Sequence, residues 1–298
     1  MCEADIDRHD HAEVHSVPHY NYESRMGNSP GAHGLYPLTF HINVFLEFPT
    51  THHEENIDWS CTALTDEEQG DVFADFQDAI HEHWNDKLWI GPRNRAHRAQ
   101  YHSFACGISL HRVQQRSRAE LIICMLATPT SPEGVRRNAL PASQTANLPP
   151  PPRYTRSHCQ IDGWSTAQTR NRTDMTLAWQ TYFQPSSSSN GFDFESSQPT
   201  SDRGDVVFVQ SRAAHELGHY LGLHHPGFPR THEDRSAASY LTGSTFARQN
   251  VLMSTGNEMV ADYGAPWVER LLEHHYHCGI AYEPHLDPSS YPAWRRRH

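Results

Sequence analysis

Lysine is nearly missing from this chain of 298 residues. Lys87 is the single lysine, so arginine supplies almost all of the 24 basic side chains, and the formal net charge is −11 with the histidines counted as neutral. This acidic balance argues against nucleic acid as the main partner, because binding to a phosphate backbone requires a basic surface. A GC-rich genome is one explanation for so little lysine.

Long hydrophobic runs are also missing. No segment approaches the roughly 18 consecutive apolar residues of a membrane-spanning helix, so we expect no membrane span. Residues 1–5 are acidic and lack the basic start and apolar centre of a secretory signal. A signal already removed, export by another route and an intracellular protein all stay open. Export by a non-standard route, or as a processed chain, is favoured over a cytoplasmic function.

Closely spaced pairs of cysteines are also missing. The six cysteines are Cys2, Cys61, Cys106, Cys124, Cys159 and Cys278. None of them forms a Cys-x-x-Cys pair, which argues against a structural zinc ribbon. Their even number permits disulfides, but their irregular spacing does not require any, so the redox compartment stays open.

Histidine is abundant, with 24 residues, and residues 215–225 read His-Glu-Leu-Gly-His-Tyr-Leu-Gly-Leu-His-His. His215 and His219 are four apart, so on a helix both imidazoles lie on one face. Gly222 can adopt the left-handed conformation that ends a helix, after which the chain turns back and brings His225 to the same point. The spacing therefore predicts a cluster of three histidines.

Three protein ligands with one open position are typical of a catalytic zinc rather than a structural one. Glu216 projects beside the ligand face, where it can act as general base on a zinc-bound water. His224 competes with His225 as the third ligand, although the spacing favours His225. Three histidines would also accept cobalt, nickel or copper.

The long motif, followed by a methionine-bearing turn, resembles the metzincin clan of zinc endopeptidases. Met253 lies 28 residues after His225 (253 − 225). The resemblance implies hydrolysis of peptide bonds in a protein or peptide substrate, with Met253 as a hydrophobic floor beneath the metal. It does not extend to a subfamily, because Thr255 stands where the astacin and serralysin groups carry a tyrosine. Tyr263 is the nearest candidate to stabilise the oxyanion, and an ordinary packing tyrosine is the alternative.

The hydrophobic patterns predict an α+β fold. A strand is expected at 38–48, and Thr65 with Glu68 forms a capping box that opens a long amphipathic helix at 66–88. The other expected elements are strands at 100–112, 118–127, 174–183 and 205–210, an active-site helix from Arg212, and a last helix at 266–277. This element order is the one the metzincin resemblance implies: a twisted mixed sheet, a long backing helix and an active-site helix above a zinc cleft.

The chain divides into an irregular leader at 1–36 and a protease-like domain at 37–298. Within that domain an upper part spans about 37–225 and a less regular lower part about 226–298. Residues 128–152 carry seven prolines and are expected to form a long surface loop. Nothing in the sequence indicates an oligomeric state.

Two other functions remain open at this point. A metal-dependent binding protein without turnover would keep the same fold, although an intact Glu216 argues against it. A secreted effector or toxin that works inside host cells would keep the protease chemistry, and scarce lysine would there limit ubiquitination.

Overall fold

The computed structural model describes most of the chain. The described residues are 13–17, 20–27, 30–98, 101–152, 154, 156–159, 173–179, 191–200, 204–223, 225, 251–254, 256–273 and 280–286. In them the protein is mixed α+β, which confirms the predicted fold class. None of the described helices combines the length and apolar composition that crossing a membrane requires.

Thirteen strands and five α-helices are described. The strands are β1 (Glu13–Val17), β2 (Tyr20–Met26), β3 (Tyr36–Glu47), β4 (Thr51–Glu54), β5 (Ile57–Ser60), β6 (Leu88–Pro92), β7 (Phe104–Arg112), β8 (Leu121–Ala127), β9 (His158–Cys159), β10 (Met175–Trp179), β11 (Asp193–Thr200), β12 (Gly204–Ser211) and β13 (Tyr282–Leu286). The helices are α1 (Asp66–Trp84), α2 (Pro132–Asn138), α3 (Ala142–Thr145), α4 (Arg212–Tyr220) and α5 (Ala265–Glu273).

One sheet organises the molecule. Its strands follow the order β13-β6-β7-β3-β8-β10-β9, and β2 adds to β3 while β1 pairs with β2. Strands β7, β3, β8 and β10 run parallel, whereas β6 and β9 are antiparallel to their inner neighbours. Alternate residues of β3 are buried, from Leu38 to Val44, so one face of the sheet meets the core.

Helix α1 covers the core face and is shorter than the predicted 66–88. Thr65 and Glu68 form the expected capping box, and the helix ends at Trp84 because Asn85 is already extended and Asp86 has a positive φ of 56°. The buried indole Nε1 of Trp84 donates to the carbonyl of Ala214 at 3.1 Å. This bond ties α1 to α4, the helix that carries the histidine motif.

Part of the predicted irregular leader is regular structure. Strands β1 and β2 form an antiparallel hairpin, and β2 pairs with β3 from Glu23↔His41 to Met26↔Leu38. Backbone hydrogen bonds to an existing strand define this hairpin, and they need no hydrophobic period in the sequence. Residues 1–12 lie outside the described residues.

The proline-rich segment 128–152 also contains more structure than predicted. Pro132 lies in the first turn of α2, where its missing N–H leaves no helical hydrogen bond unmade. The guanidinium of Arg137 then donates to the carbonyls of Thr145, Leu148 and Pro149. The segment therefore forms two short helices, α2 and α3, and Arg137 of α2 binds the backbone of residues 145–149.

Two segments of the predicted lower part, 226–298, pack against the main sheet. Trp267 of α5 stacks on Phe40 of β3 with ring centroids 4.5 Å apart, and β13 pairs with β6. Residues 226–250, for which we predicted a polar loop, lie outside the described residues. The cysteines of the described residues form no disulfide, and Cys2 and Cys278 fall outside them.

Candidate metal centre

Helix α4 begins directly at the end of β12 and is buried along its whole length. Ser211 caps it by accepting from the N–H of Ala214, as its place before the helix predicts. Gly222 has a φ of 92°, and Leu223 N–H donates to the carbonyl of Gly218 at 2.9 Å. The left-handed glycine predicted from the sequence therefore ends the helix and turns the chain towards His225.

This turn brings three imidazoles together. Nε2 of His219 lies 3.2 Å from Nε2 of His215 and 3.0 Å from Nε2 of His225, and the remaining separation is 3.3 Å. Ligand atoms at this spacing can all reach one ion at the usual metal–nitrogen distance of about 2.1 Å. The predicted cluster is therefore present, and its residues fit a single metal ion. His224, the alternative third ligand, lies outside the described residues.

The opposite ring nitrogens are held by backbone carbonyls. Nδ1 of His215 lies 2.7 Å from the carbonyl oxygen of Leu252, and Nδ1 of His219 lies 2.8 Å from that of Leu223. A carbonyl only accepts, so each Nδ1 carries the proton and each Nε2 presents its lone pair to the cluster. The rings of His215 and His219 are therefore in the Nδ1–H tautomer, which leaves Nε2 free to bind a metal ion.

Burial keeps His215 neutral. It lowers the pKa of this imidazole to about 3, the nearby His225 acts in the same direction, and the hydrogen bond to Leu252 opposes both. A neutral ring is the form that binds a metal ion. The environment of His215 thus favours the ligand form across the physiological range.

Glu216 follows His215 on α4 and is also buried, with 5% of its surface exposed. Burial raises the pKa of its carboxyl to about 8, while the N–H of Cys159 and the charge of Arg212 lower it. Within the described residues, its Oε2 has no hydrogen-bond partner. One carboxylate oxygen is therefore available to bind a further group, such as water.

Residues 251–254 form a turn that packs against α4. Met253 is fully buried, and its sulfur contacts the position of Gly218 on α4. The backbone N–H of Met253 donates to the hydroxyl of Tyr263 at 3.1 Å. Met253 therefore packs against the helix that carries His215 and His219, and Tyr263 supports the turn. These contacts favour the packing role of Tyr263 over the oxyanion role. Thr255 lies outside the described residues.

Five supporting groups were not predicted from the sequence: the carbonyls of Leu223 and Leu252, the amide of Gln210, the N–H of Cys159 and the charge of Arg212. The amide of Gln210 donates to the carbonyl of Ser254 and so supports the turn that carries Leu252. Only Arg212 left a signal in the sequence, because it precedes Glu216 by four residues and so shares its helix face.

Comparisons of the chain with protein-family models, with curated proteins and with solved structures give no match.

Proposed function

We propose that this protein is a zinc-dependent endopeptidase of the metzincin type. The observation that carries the proposal is the cluster of three Nε2 atoms within 3.0–3.3 Å, with Glu216 following the first ligand on the same helix. The packing of Met253 against Gly218 of the histidine helix and the order of the described elements are further support. Three histidines with one open position favour a catalytic zinc over a structural one.

Each residue has a distinct role in the proposed reaction. When bound, a zinc ion polarises the scissile carbonyl and makes water more acidic. His215, His219 and His225 would hold it through their Nε2 atoms. Glu216 accepts the proton of the attacking water at its carboxylate and delivers it to the nitrogen of the leaving amine. Its buried position supports this role, because a pKa raised by burial matches the carboxyl group to proton transfer near neutral pH.

The substrate is proposed to bind as an extended strand. Strand β9 is the last strand on its side of the main sheet within the described residues, and α4 packs beside it. An extended peptide can add to such an edge through main-chain hydrogen bonds. A peptide bound along β9 would lie next to Glu216, and this supports a protein or peptide as the proposed substrate class.

A metal-dependent binding protein without turnover is the other candidate. Glu216 argues against it, because burying an ionisable carboxyl with one oxygen unpartnered costs folding free energy without helping to hold a metal. A secreted effector or toxin remains a proposal about biological role and is compatible with the same chemistry.

Cleavage of a diverse peptide library by the zinc-loaded protein tests the proposal, with Glu216→Gln as the matched control. We expect cuts from the wild type and none from Glu216→Gln, which should still bind one zinc per chain. His219→Ala should lose both zinc and activity. Cuts of equal rate from Glu216→Gln would refute the general-base role, and no cuts from a wild type that holds zinc would favour the binding protein. Reconstitution with cobalt, nickel and copper identifies the metal that supports turnover best.

A further inference from the structure

The Glu216 carboxylate contacts β9, the last strand on its side of the main sheet within the described residues. The backbone N–H of Cys159 in β9 donates a hydrogen bond to it. Because Oε2 has no hydrogen-bond partner in the described part of the chain, the acceptor is the other oxygen, Oε1. One oxygen of the proposed general base therefore holds the edge strand.

The register of β9 shows which way this N–H points. Cys159 faces Met175 of β10, and His158 faces Thr176. In an antiparallel pair, residues opposite one another alternate between exchanging hydrogen bonds and not doing so. Since the N–H of Cys159 is directed to Glu216, the pair Cys159–Met175 is the one that does not exchange them. Its N–H therefore points away from β10, towards the side where a further strand would add.

The same N–H is therefore the donor that an added strand would need. Strand β9 has two residues and no outer neighbour within the described residues, so few outward groups exist to bind a peptide backbone. A peptide carbonyl and the Glu216 carboxylate cannot both take the single hydrogen of Cys159 in good geometry. The two acceptors compete.

We propose that Glu216 caps the edge strand in the resting protein and that an incoming extended peptide displaces it. The peptide carbonyl takes the N–H of Cys159, and Oε1 of Glu216 is released to act at the histidine cluster. Only hydrogen bonds are exchanged in this step. That the incoming strand is a substrate rests on the proposed function. The cap, which is the hydrogen bond from the N–H of Cys159 to Glu216, does not depend on the proposed function. Peptide pairing with β9 and release of the Glu216 carboxylate then occur in the same step.

Two inactive variants separate the cap from catalysis. Glu216→Gln keeps a side-chain oxygen that can accept from Cys159, and Glu216→Ala has none. Hydrogen exchange of the Cys159 amide, measured by NMR on the full zinc-loaded chain without peptide, should be at least roughly tenfold faster in Glu216→Ala than in Glu216→Gln. Equal exchange rates in the two variants would overturn the cap.

Peptide binding tests the displacement. The fluorescently labelled peptide pool of the cleavage experiment should bind Glu216→Ala roughly five- to tenfold more tightly than Glu216→Gln, since only the latter retains a competing acceptor. Equal affinities, together with unequal exchange, would refute displacement and leave a static cap. Failure of the wild type to cleave any peptide would refute the proposed function, and the exchange result would still decide the cap.

Discussion

Gly218 of α4 lies directly against Met253 of the following turn. A Cβ built on Gly218 would overlap the sulfur of Met253 and lie 3.2 Å from Cζ2 of Trp84. Gly218 has an ordinary helical backbone, so any residue could adopt its conformation. Glycine is needed here because a side chain would overlap Met253. The histidine helix and the methionine turn can approach only because residue 218 has no side chain.

Gly218→Ala should therefore destabilise the protein, by about 1–3 kcal/mol, because the added methyl group forces apart two buried elements. It should also weaken zinc binding, since the turn carries the Leu252 carbonyl that orients His215. Urea denaturation and competition with a chromophoric chelator measure the two effects.

Gly70→Ala is the matched control for this substitution. Gly70 lies in α1 with no atom within 4 Å of the added Cβ, so the variant should be more stable by about 0.5–1 kcal/mol. Wild-type stability in Gly218→Ala would show that the turn can move away at little cost.

Tyr263→Phe distinguishes a packing tyrosine from an oxyanion group. Removal of the hydroxyl leaves the buried N–H of Met253 without its acceptor, which should cost about 1–2 kcal/mol of stability. The kcat of the folded protein should change little, because the hydroxyl accepts from the backbone of the turn and is engaged in packing. Chemical denaturation and peptide cleavage kinetics give the two values. A fall in kcat of about a hundredfold or more would instead assign Tyr263 to the reaction.

Much of the site could be predicted from the sequence because its geometry is local. His215 and His219 are one helical turn apart, and Gly222 reverses the chain within six residues of His219, so spacing alone brings His225 to the cluster. The carbonyl of Leu252 lies 37 residues from His215, and Cys159 comes from a strand earlier still. Such partners are brought together by tertiary packing and leave no pattern in the sequence.

The fold shows the same division. The sequence predicts β3 and α1 well because their apolar residues alternate or recur at helical spacing. It does not predict β6, whose five residues are all buried and show no alternation, or β9, which has two residues. These strands are defined by pairing with neighbours, as is the β1–β2 hairpin within the predicted irregular leader.

The identity of the third ligand can be tested with adjacent histidines. His225→Ala should weaken zinc binding by about a hundredfold or more, because its Nε2 lies within 3.3 Å of both other ligand atoms. His224→Ala is the neighbouring control and should leave the affinity nearly unchanged. Titration with a chelator of known affinity measures both variants. A greater loss in His224→Ala would assign the third ligand to that residue.

The stability of the metal-free protein should fall on both sides of a plateau. The pKa of His215 is about 3 in the folded protein against an ordinary 6.5, so its neutral burial favours folding above pH 6.5 and this contribution is lost as the pH falls towards 3. The pKa of Glu216 is about 8 against an ordinary 4.5, so its contribution is complete below pH 4.5 and is lost as the pH rises to 8. Between pH 4.5 and 6.5 the two trends cancel.

Glu216→Gln isolates the fall at high pH. Between pH 6.5 and 8 the unfolding free energy of the wild type should fall by roughly 1 kcal/mol per pH unit relative to the variant. The reason is that unfolding of the wild type releases one proton from Glu216 in this range. Urea denaturation at a series of pH values in the presence of a chelator measures this difference. Parallel curves for the two proteins would show that Glu216 is already ionised in the folded state, and the buried carboxylate would then be stabilised chiefly by Arg212 and the N–H of Cys159.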